Sequence, residues 1–290
     1  MSETLAVSQK PRHALSHLAS RDAILVGVLV AILLAASIAS PRFASPVTVG
    51  YLLLNAVPVL LIALPMTLII ITGEIDLSVA SIVGLSTATI GSLTLQGWEF
   101  GPAVLAAGIV GMIAGAVNGA LIAFVGLPSL AVTIGTLALY RGLTLVFIGD
   151  NSVSSSQHPA EFSSFINLKM GATGIPVVIL IVAFFIAIFT LVLHFTPFGR
   201  GLYALGYSKE AATFVGINVA WSKFWLYVAS GFTCGVVGIF WALYYSARSD
   251  SATGLELTVI AAVLLGGISI FGGRGTIVGA ISGVLVISSV

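Results

Sequence analysis

Charge is what this sequence has least of. Eleven Lys or Arg and ten Asp or Glu stand among 290 residues, 7% in all, where soluble domains carry about 25%. That shortage excludes an ordinary soluble domain, and a net charge of +1 gives nothing to hold nucleic acid. Cysteine is nearly absent. Cys234 stands alone, which rules out an intramolecular disulfide and any cysteine-based metal cluster. Polar runs are short, none exceeding about thirty residues, so no separate soluble domain fits. His13, His17, His158 and His194 are scattered without metal-ligand spacing, and no serine has a plausible base nearby. Catalysis has no candidate, so the chain reads as a non-enzyme without a cofactor or metal of its own.

What is present is apolar: 58% of residues, with 32 glycines and a mean hydropathy of +1.16. A bilayer core takes about 20 apolar residues per helix. On that measure the expected spans are 23–40, 50–72, 77–95, 101–124, 128–148, 174–195, 223–244, 257–272 and 276–290. The fold class is therefore all-α, a polytopic membrane helix bundle with about nine spans (domain 23–290) behind an N-terminal tail, 1–22. Lys10, Arg12 and Arg21 ahead of 23–39 have the charge order of a signal peptide. The apolar run is long for one and Pro41 sits badly beside a cleavage site, so an uncleaved first span is expected.

Basic residues set the orientation. With a cytoplasmic N-terminus, Lys10, Arg12, Arg21, Arg200, Lys209, Lys223 and Arg274 fall inside and Arg42, Lys169 and Arg248 outside, seven against three. Arg141 lies within a span, from which its charged end can reach the outer headgroups. The loop 196–223 is then cytoplasmic, and 149–173 is the longest external segment. The loop carries Arg200, Lys209, Glu210 and Lys223, four of the few charges, and one short helix is legible inside it. Ser208 suits its cap, Glu210 its positive end, Ala211 and Ala212 its body, and Gly216 its stop before Asn218.

An internal repeat is visible. GMIAGAVNGALI (111–122) matches GTIVGAISGVLV (275–286) at six of twelve positions, and the ladder Gly111, Gly115, Gly119 recurs as Gly275, Gly279, Gly283. Upstream, Asp76-Leu77-Ser78-Val79 answers Glu256-Leu257-Thr258-Val259. Five spans separate each pair, and an odd offset inverts orientation, as in transporters built from two inverted repeats. Span 128–148 lacks its counterpart, so the repeat predicts a tenth span beyond Val290; nine spans with an external C-terminus is the alternative.

Several polar positions have two readings. Glu74 and Asp76, in GEIDLSVASIVGLS (73–86), belong at the interface or against a polar partner because a mid-bilayer acid is costly. They mark either a helix N-terminus or part of a gate or solute path, and Glu256 inherits the same choice. Thr133, Thr136, Tyr140 and Thr144 align on one helix face that should turn inward. That face either makes interhelical hydrogen bonds or lines the permeation route, and its hydroxyls suit a neutral polyol better than an ion. Asn118 interrupts the glycine ladder and must find a partner, a structural bond or a ligand. The ladders, with Gly231-x₃-Gly235, read as close-packing surfaces, and Gly272–Gly275 reads as a tight cytoplasmic turn rather than a phosphate cradle.

Four stretches taken together carry a resemblance. They are GEIDLSVASIVGLS (73–86), VNGALIAFVGLPSLAVTIGTLALYRGL (117–143), FGRGLYALGYSKEAATFVGINV (198–219) and LELTVIAAVLLGGISIFGGRGT (255–276). In family order and from about residue 50 onward, they resemble the permease subunits of ribose-type ABC importers, in the superfamily of monosaccharide and branched-chain amino acid permeases. The resemblance implies a multi-pass bacterial inner-membrane protein moving a monosaccharide or similar small polar solute. It implies a second permease chain, identical or different, cytoplasmic ATP-binding cassette subunits that bind and hydrolyse the ATP, and a periplasmic sugar-binding protein. By position, Ser208–Asn218 would be the coupling helix, with Ser208, Glu210, Ala211, Ala212 and Gly216 at the ATPase contact. Asp76, Asn118, Thr133, Thr136 and Tyr140 are the candidates for the translocation path. The family motif G-G-I-D-L-S usually has glycine where this chain has Glu74. Rival classes are a permease for branched-chain amino acids or nucleosides, an ion-coupled secondary transporter, for which no mid-membrane ionisable group is evident, and a membrane scaffold.

Overall fold

The computed structural model describes the backbone of residues 13–40 and 42–289, and side chains of 23–289 apart from Pro41 and Ala172. The expected roles of Lys10 and Arg12, of Pro41 and of the His13, His17 and Arg21 side chains lie outside the described residues. Twelve α-helices follow in order: α1 (His13–Ala39), α2 (Pro46–Ile71), α3 (Val79–Leu95), α4 (Phe100–Ala123), α5 (Ser129–Ile148), α6 (Ala160–Asn167), α7 (Ile179–Thr190), α8 (Pro197–Tyr207), α9 (Lys209–Phe214), α10 (Val219–Tyr244), α11 (Leu255–Leu265) and α12 (Ile277–Ser289). Among the described residues, strand structure is β1 (Val153–Ser154) paired antiparallel with β2 (Ser246–Ala247), besides an isolated bridge between Lys169 and Pro176. The chain is an all-α polytopic bundle.

Among the described residues α2, α4, α5 and α10 are long and apolar enough to cross a membrane alone. α7 with its π-helical extension Leu191–Phe195 meets the same measure only together with α8, from which it is bent by 67°. The remaining apolar helices, 23–39 of α1, α3, α11 and α12, are shorter. All nine expected spans thus correspond to helices, two of them clearly shortened: the span expected at 174–195 starts as helix at Ile179, and that expected at 257–272 ends as helix at Leu265. Gly266 and Gly267 stop it, Gly267 at φ +82°, where L side chains are strained.

α2 is the axis, with 94% of its apolar window buried, and α10, α12, α11 and α7 pack around it. α4 crosses α10 through glycine. A Cβ on Gly115 would sit 2.2 Å from the Tyr227 carbonyl oxygen, and one on Gly231 2.3 Å from that of Gly111. The ladder is the close-packing surface its spacing implied. In the second repeat, Gly279 and Gly283 lie against Gly266 and Ala262 of α11.

The repeated helices run in opposite directions. α3 begins at the end of the bundle that holds α8 and α9, where Glu74 meets Lys209. α11 begins at the other end, after Ser251, whose carbonyl accepts from Arg141 Nη1 at 2.7 Å. Arg141 is thus turned onto the 246–254 segment rather than toward headgroups. The 149–178 segment is also more ordered than a loop, with β1, a 3₁₀ turn and α6.

Candidate functional site

The residues between α2 and α3 leave helical conformation inside the bundle. The Thr72 amide and hydroxyl donate to the Ile69 carbonyl at the end of α2, Gly73 turns at φ +77°, and 74–78 run without helix until α3 starts at Val79. Non-helical backbone within an apolar bundle is tolerable only where protein satisfies it. Here side chains from neighbouring helices satisfy both backbone groups of Ile75. The Ile75 amide donates to Ser129 Oγ (3.4 Å), and its carbonyl accepts from Tyr227 Oη (3.3 Å) and Thr133 Oγ1 (3.5 Å). Asp76, 1% exposed, accepts at Oδ1 from the Ser78 amide (3.0 Å) and hydroxyl (2.6 Å), and at Oδ2 from Ser230 Oγ (3.1 Å). Asn118 Nδ2 donates to Ser78 Oγ (2.7 Å), and Tyr140 Oη reaches Asn118 Oδ1 (3.2 Å) and the Ala114 carbonyl (2.9 Å). A polar chain therefore runs from α10 through the 73–78 link to α4 and α5.

Four of the five candidates for the path, Asp76, Asn118, Thr133 and Tyr140, take part in this network, and Thr136 lies on the same face of α5. Thr133 and Thr136 also donate to backbone carbonyls of α5, and the face Thr133–Thr136–Tyr140–Thr144 is buried, turned inward as its spacing requires. In this conformation Asp76, Asn118, Thr133, Thr136 and Tyr140 are all buried.

Glu74 occupies the first position of this link and is also buried. Lys223 of α10 and Lys209 of α9 both place an ammonium on its Oε1, Lys209 at 3.2 Å. Neither acid sits in the first turn of α3; the polar-partner reading holds for both, whereas Glu256 does lie in the first turn of α11. Burial depresses the Lys209 pKa, but the charge and hydrogen bond of Glu74 outweigh it, so the ammonium is held above its ordinary value. The separation of 135 and 149 residues between these partners left no local signal in the sequence.

Beside the cluster, the 196–223 loop folds as two helices rather than one. α8 was not anticipated; its signature is the Thr196 cap, which accepts from the Gly199 amide (3.2 Å), followed by Pro197 at the first turn. α8 ends on both breaks in the bundle. A Cβ at Gly206 would lie 1.9 Å from the Ile71 carbonyl oxygen and 2.4 Å from the Gly273 nitrogen, while Tyr203 Oη donates to the Gly275 carbonyl (2.7 Å). Gly272–Gly275 is a tight turn, Gly272 at φ +83° and Gly273 at +73°, and the Gly273 amide donates to Ile71 (2.8 Å).

α9 follows. Ser208 caps it by accepting from the Ala211 amide (3.1 Å) and donates to Glu210 (2.9 Å), and Gly216 terminates it at φ +85°. The Glu210 backbone amide and the Ser208 hydroxyl lower the Glu210 pKa. Glu210, Ala211 and Gly216 are exposed, and Ala212 is buried against the bundle. Phe214 and Val215, absent from the sequence-based set, are 90% and 75% exposed. Tyr207 and Phe271 add further exposed apolar surface at the same end.

Interrupted helices in inverted repeats, joined by a polar crossing inside an apolar bundle, define a membrane transporter. Residues 48–290 match the family described as branched-chain amino acid transport system / permease component, and the chain belongs to that family of transport permeases rather than to an enzyme family. It is 36% identical to the autoinducer 2 import system permease protein LsrD of Klebsiella pneumoniae, over 76% of this chain and 67% of that one. Over 91% of this chain and 80% of its relative it is 31% identical to LsrD of Photorhabdus laumondii. Identity to the ribose import permease protein RbsC of Bacillus subtilis is 35%, over 87% and 78% of the two chains. No solved structure matches this chain.

Proposed function

We propose that this permease is the membrane-spanning subunit of an ATP-driven importer for a monosaccharide or similar small polar solute. The observation that carries the reading is α9: a capped helix projecting from an apolar bundle with Phe214 and Val215 uncovered. Large apolar side chains exposed at a polar end of a membrane protein mark a surface made to be covered by a partner. A cytoplasmic ATPase is the partner assigned to it, with Glu210, Ala211 and Gly216 beside the two apolar residues in the contact. Ser208 and Ala212 act from within, one capping α9 and the other seating it. The seven-to-three excess of basic residues supports a cytoplasmic location for this end and for the N-terminus, in a bacterial inner membrane. The opposite end, with α6 and its exposed Phe162 and Phe165, would receive a periplasmic solute-binding protein, and a second permease chain would complete the pore.

The names of the relatives favour a sugar-like solute over the branched-chain amino acids in the family description. Transport follows from alternating access: ATPase closure displaces α9, the 73–78 link shifts, and Asp76, Asn118, Thr133, Thr136 and Tyr140 come to border the path. Only states that the nucleotide or solute binds unequally can be driven apart in this way.

The test is co-purification with the candidate ATPase and uptake in proteoliposomes. F214D with V215D should weaken association by about 30-fold or more, the loss expected of a central apolar anchor, and abolish ATP-dependent uptake. Unchanged association and uptake would instead favour an ion-coupled transporter. The solute is the one that raises ATP turnover of the complex with its binding protein.

A further inference from the structure

Glu74 calls for an explanation of its own. A buried carboxylate at a break between helices is costly unless paired, and Lys223, only 10% exposed at its side chain, already neutralises it one to one. Lys209 adds a second cation to the same oxygen, beyond the one-to-one pairing that Lys223 provides. What distinguishes Lys209 is where it comes from. It is the first residue of α9, its side chain 54% exposed, and it reaches inward to the link. Two residues beyond Glu74 lies Asp76, and through Asp76 and Ser78 the link is bonded to α10 and α4. Residues 74–78 are not helical, and one residue separates Glu74 from Asp76, so a displacement at Glu74 has a short covalent route to the bonds of Asp76. A cleft of about 600 Å³, lined by Glu74, Lys209, Lys223, Ile122, Leu127 and Pro128, adjoins the cluster and leaves it room to rearrange.

We infer that the Lys209–Glu74 pair is the strut that transmits displacement of α9 to the 73–78 link, which makes both residues positioning residues for transport. This rests on the reading of α9 as the ATPase contact. The strut is specific to chains that place an acid at this point of the motif, and its effect is on coupling, the amount of solute moved per ATP hydrolysed, rather than on the folded state.

The experiment uses the complete complex in proteoliposomes with binding protein and measures that ratio for wild type, K209M, E74Q, the double variant and K209R. K209M and E74Q should each lower the ratio about 5-fold or more, the range of an ordinary coupling free energy. The double variant should be no worse than either single one, since both remove the same contact. K209R should restore the ratio. A ratio is insensitive to how much protein folds, so a purely structural role would not move it. Should E74Q fail to fold, K209M carries the test, because Glu74 keeps Lys223 there. A wild-type ratio in K209M, effects that multiply in the double variant, or normal coupling in E74Q beside a K209M that no longer binds the ATPase would each overturn the strut. If wild-type uptake proceeds without ATP, the importer reading itself fails and the strut falls with it; normal wild-type coupling with an unaffected K209M sinks the strut alone.

Discussion

Asp76 shows how a carboxyl group is kept inside an apolar bundle: three donors converge on its two oxygens, and two of them come from Ser78. The third, Ser230, is the donor to Oδ2 and arrives from 154 residues away. Ser230→Ala would leave that oxygen buried without its partner, a change worth about 1–3 kcal/mol. The expected outcome is a lower thermal unfolding temperature of the detergent-solubilised chain, and an unchanged one would mean that water or Ser78 satisfies the oxygen instead. Asn118 was legible as a buried amide in need of a partner, because a polar side chain within a glycine ladder has no other way to persist. That its partners would be Ser78 and Tyr140 was not legible, since hydrogen bonding is set by packing between segments distant in sequence.

At the scale of elements, the α4–α10 crossing depends on what glycine omits. Any side chain at Gly115 meets the Tyr227 backbone carbonyl, which can retreat only if the helices part. Gly115→Leu should therefore destabilise by about 3 kcal/mol or more, beyond ordinary overpacking, and remove most folded protein from membranes. Gly135→Leu on α5, with nothing within 4 Å of the added carbon, should leave yield unchanged. Equal yields from the two variants would refute the close-packing role. The ladder, the span positions and the short helix after Ser208 were readable because hydropathy, periodicity and caps are local properties. α8 escaped notice because Gly199, Gly201 and Gly206 lower its helix propensity. Contact with Ile71 and the 272–275 turn supplies what propensity lacks. The early end of α11 has the same origin: Gly266 fits beneath Gly279, and no window of hydropathy registers that.

For the molecule as a whole, the two ends are differently built. One end carries the exposed α9; at the other, β1 and β2 join the 149–178 segment to the end of α10. There His158 is 4% exposed, its ring 5.1 Å from that of Phe100, and neither nitrogen has a hydrogen-bond partner among the described residues. Burial lowers its pKa, so the folded segment holds the neutral ring. A loosened segment, with a pKa of about 6.5, takes up the proton first as acidity rises. Stability contributed by this contact is thus intact above about pH 6.5 and declines as pH falls through that value, until the folded pKa is passed. Hydrogen exchange over 155–167, corrected for its intrinsic pH dependence, should be faster at about pH 5.5 than at about pH 7.5, and the difference should vanish in His158→Phe. Persistence of the difference in that variant would assign it elsewhere. Basic residues gave only an expectation of which end is inside; the shielding of His158 was not legible, because a lone histidine in a polar segment carries no mark of burial.

One small contact has a wider consequence. The last turn of α8 rests at Gly206 on the terminus of α2 and on the 272–275 bend together, so a single short lever touches the interruption in each of the two mirrored halves. Neither interruption can shift without disturbing the seat of the other. Under the proposed mechanism the halves would be geared, a push on α8 reaching both together.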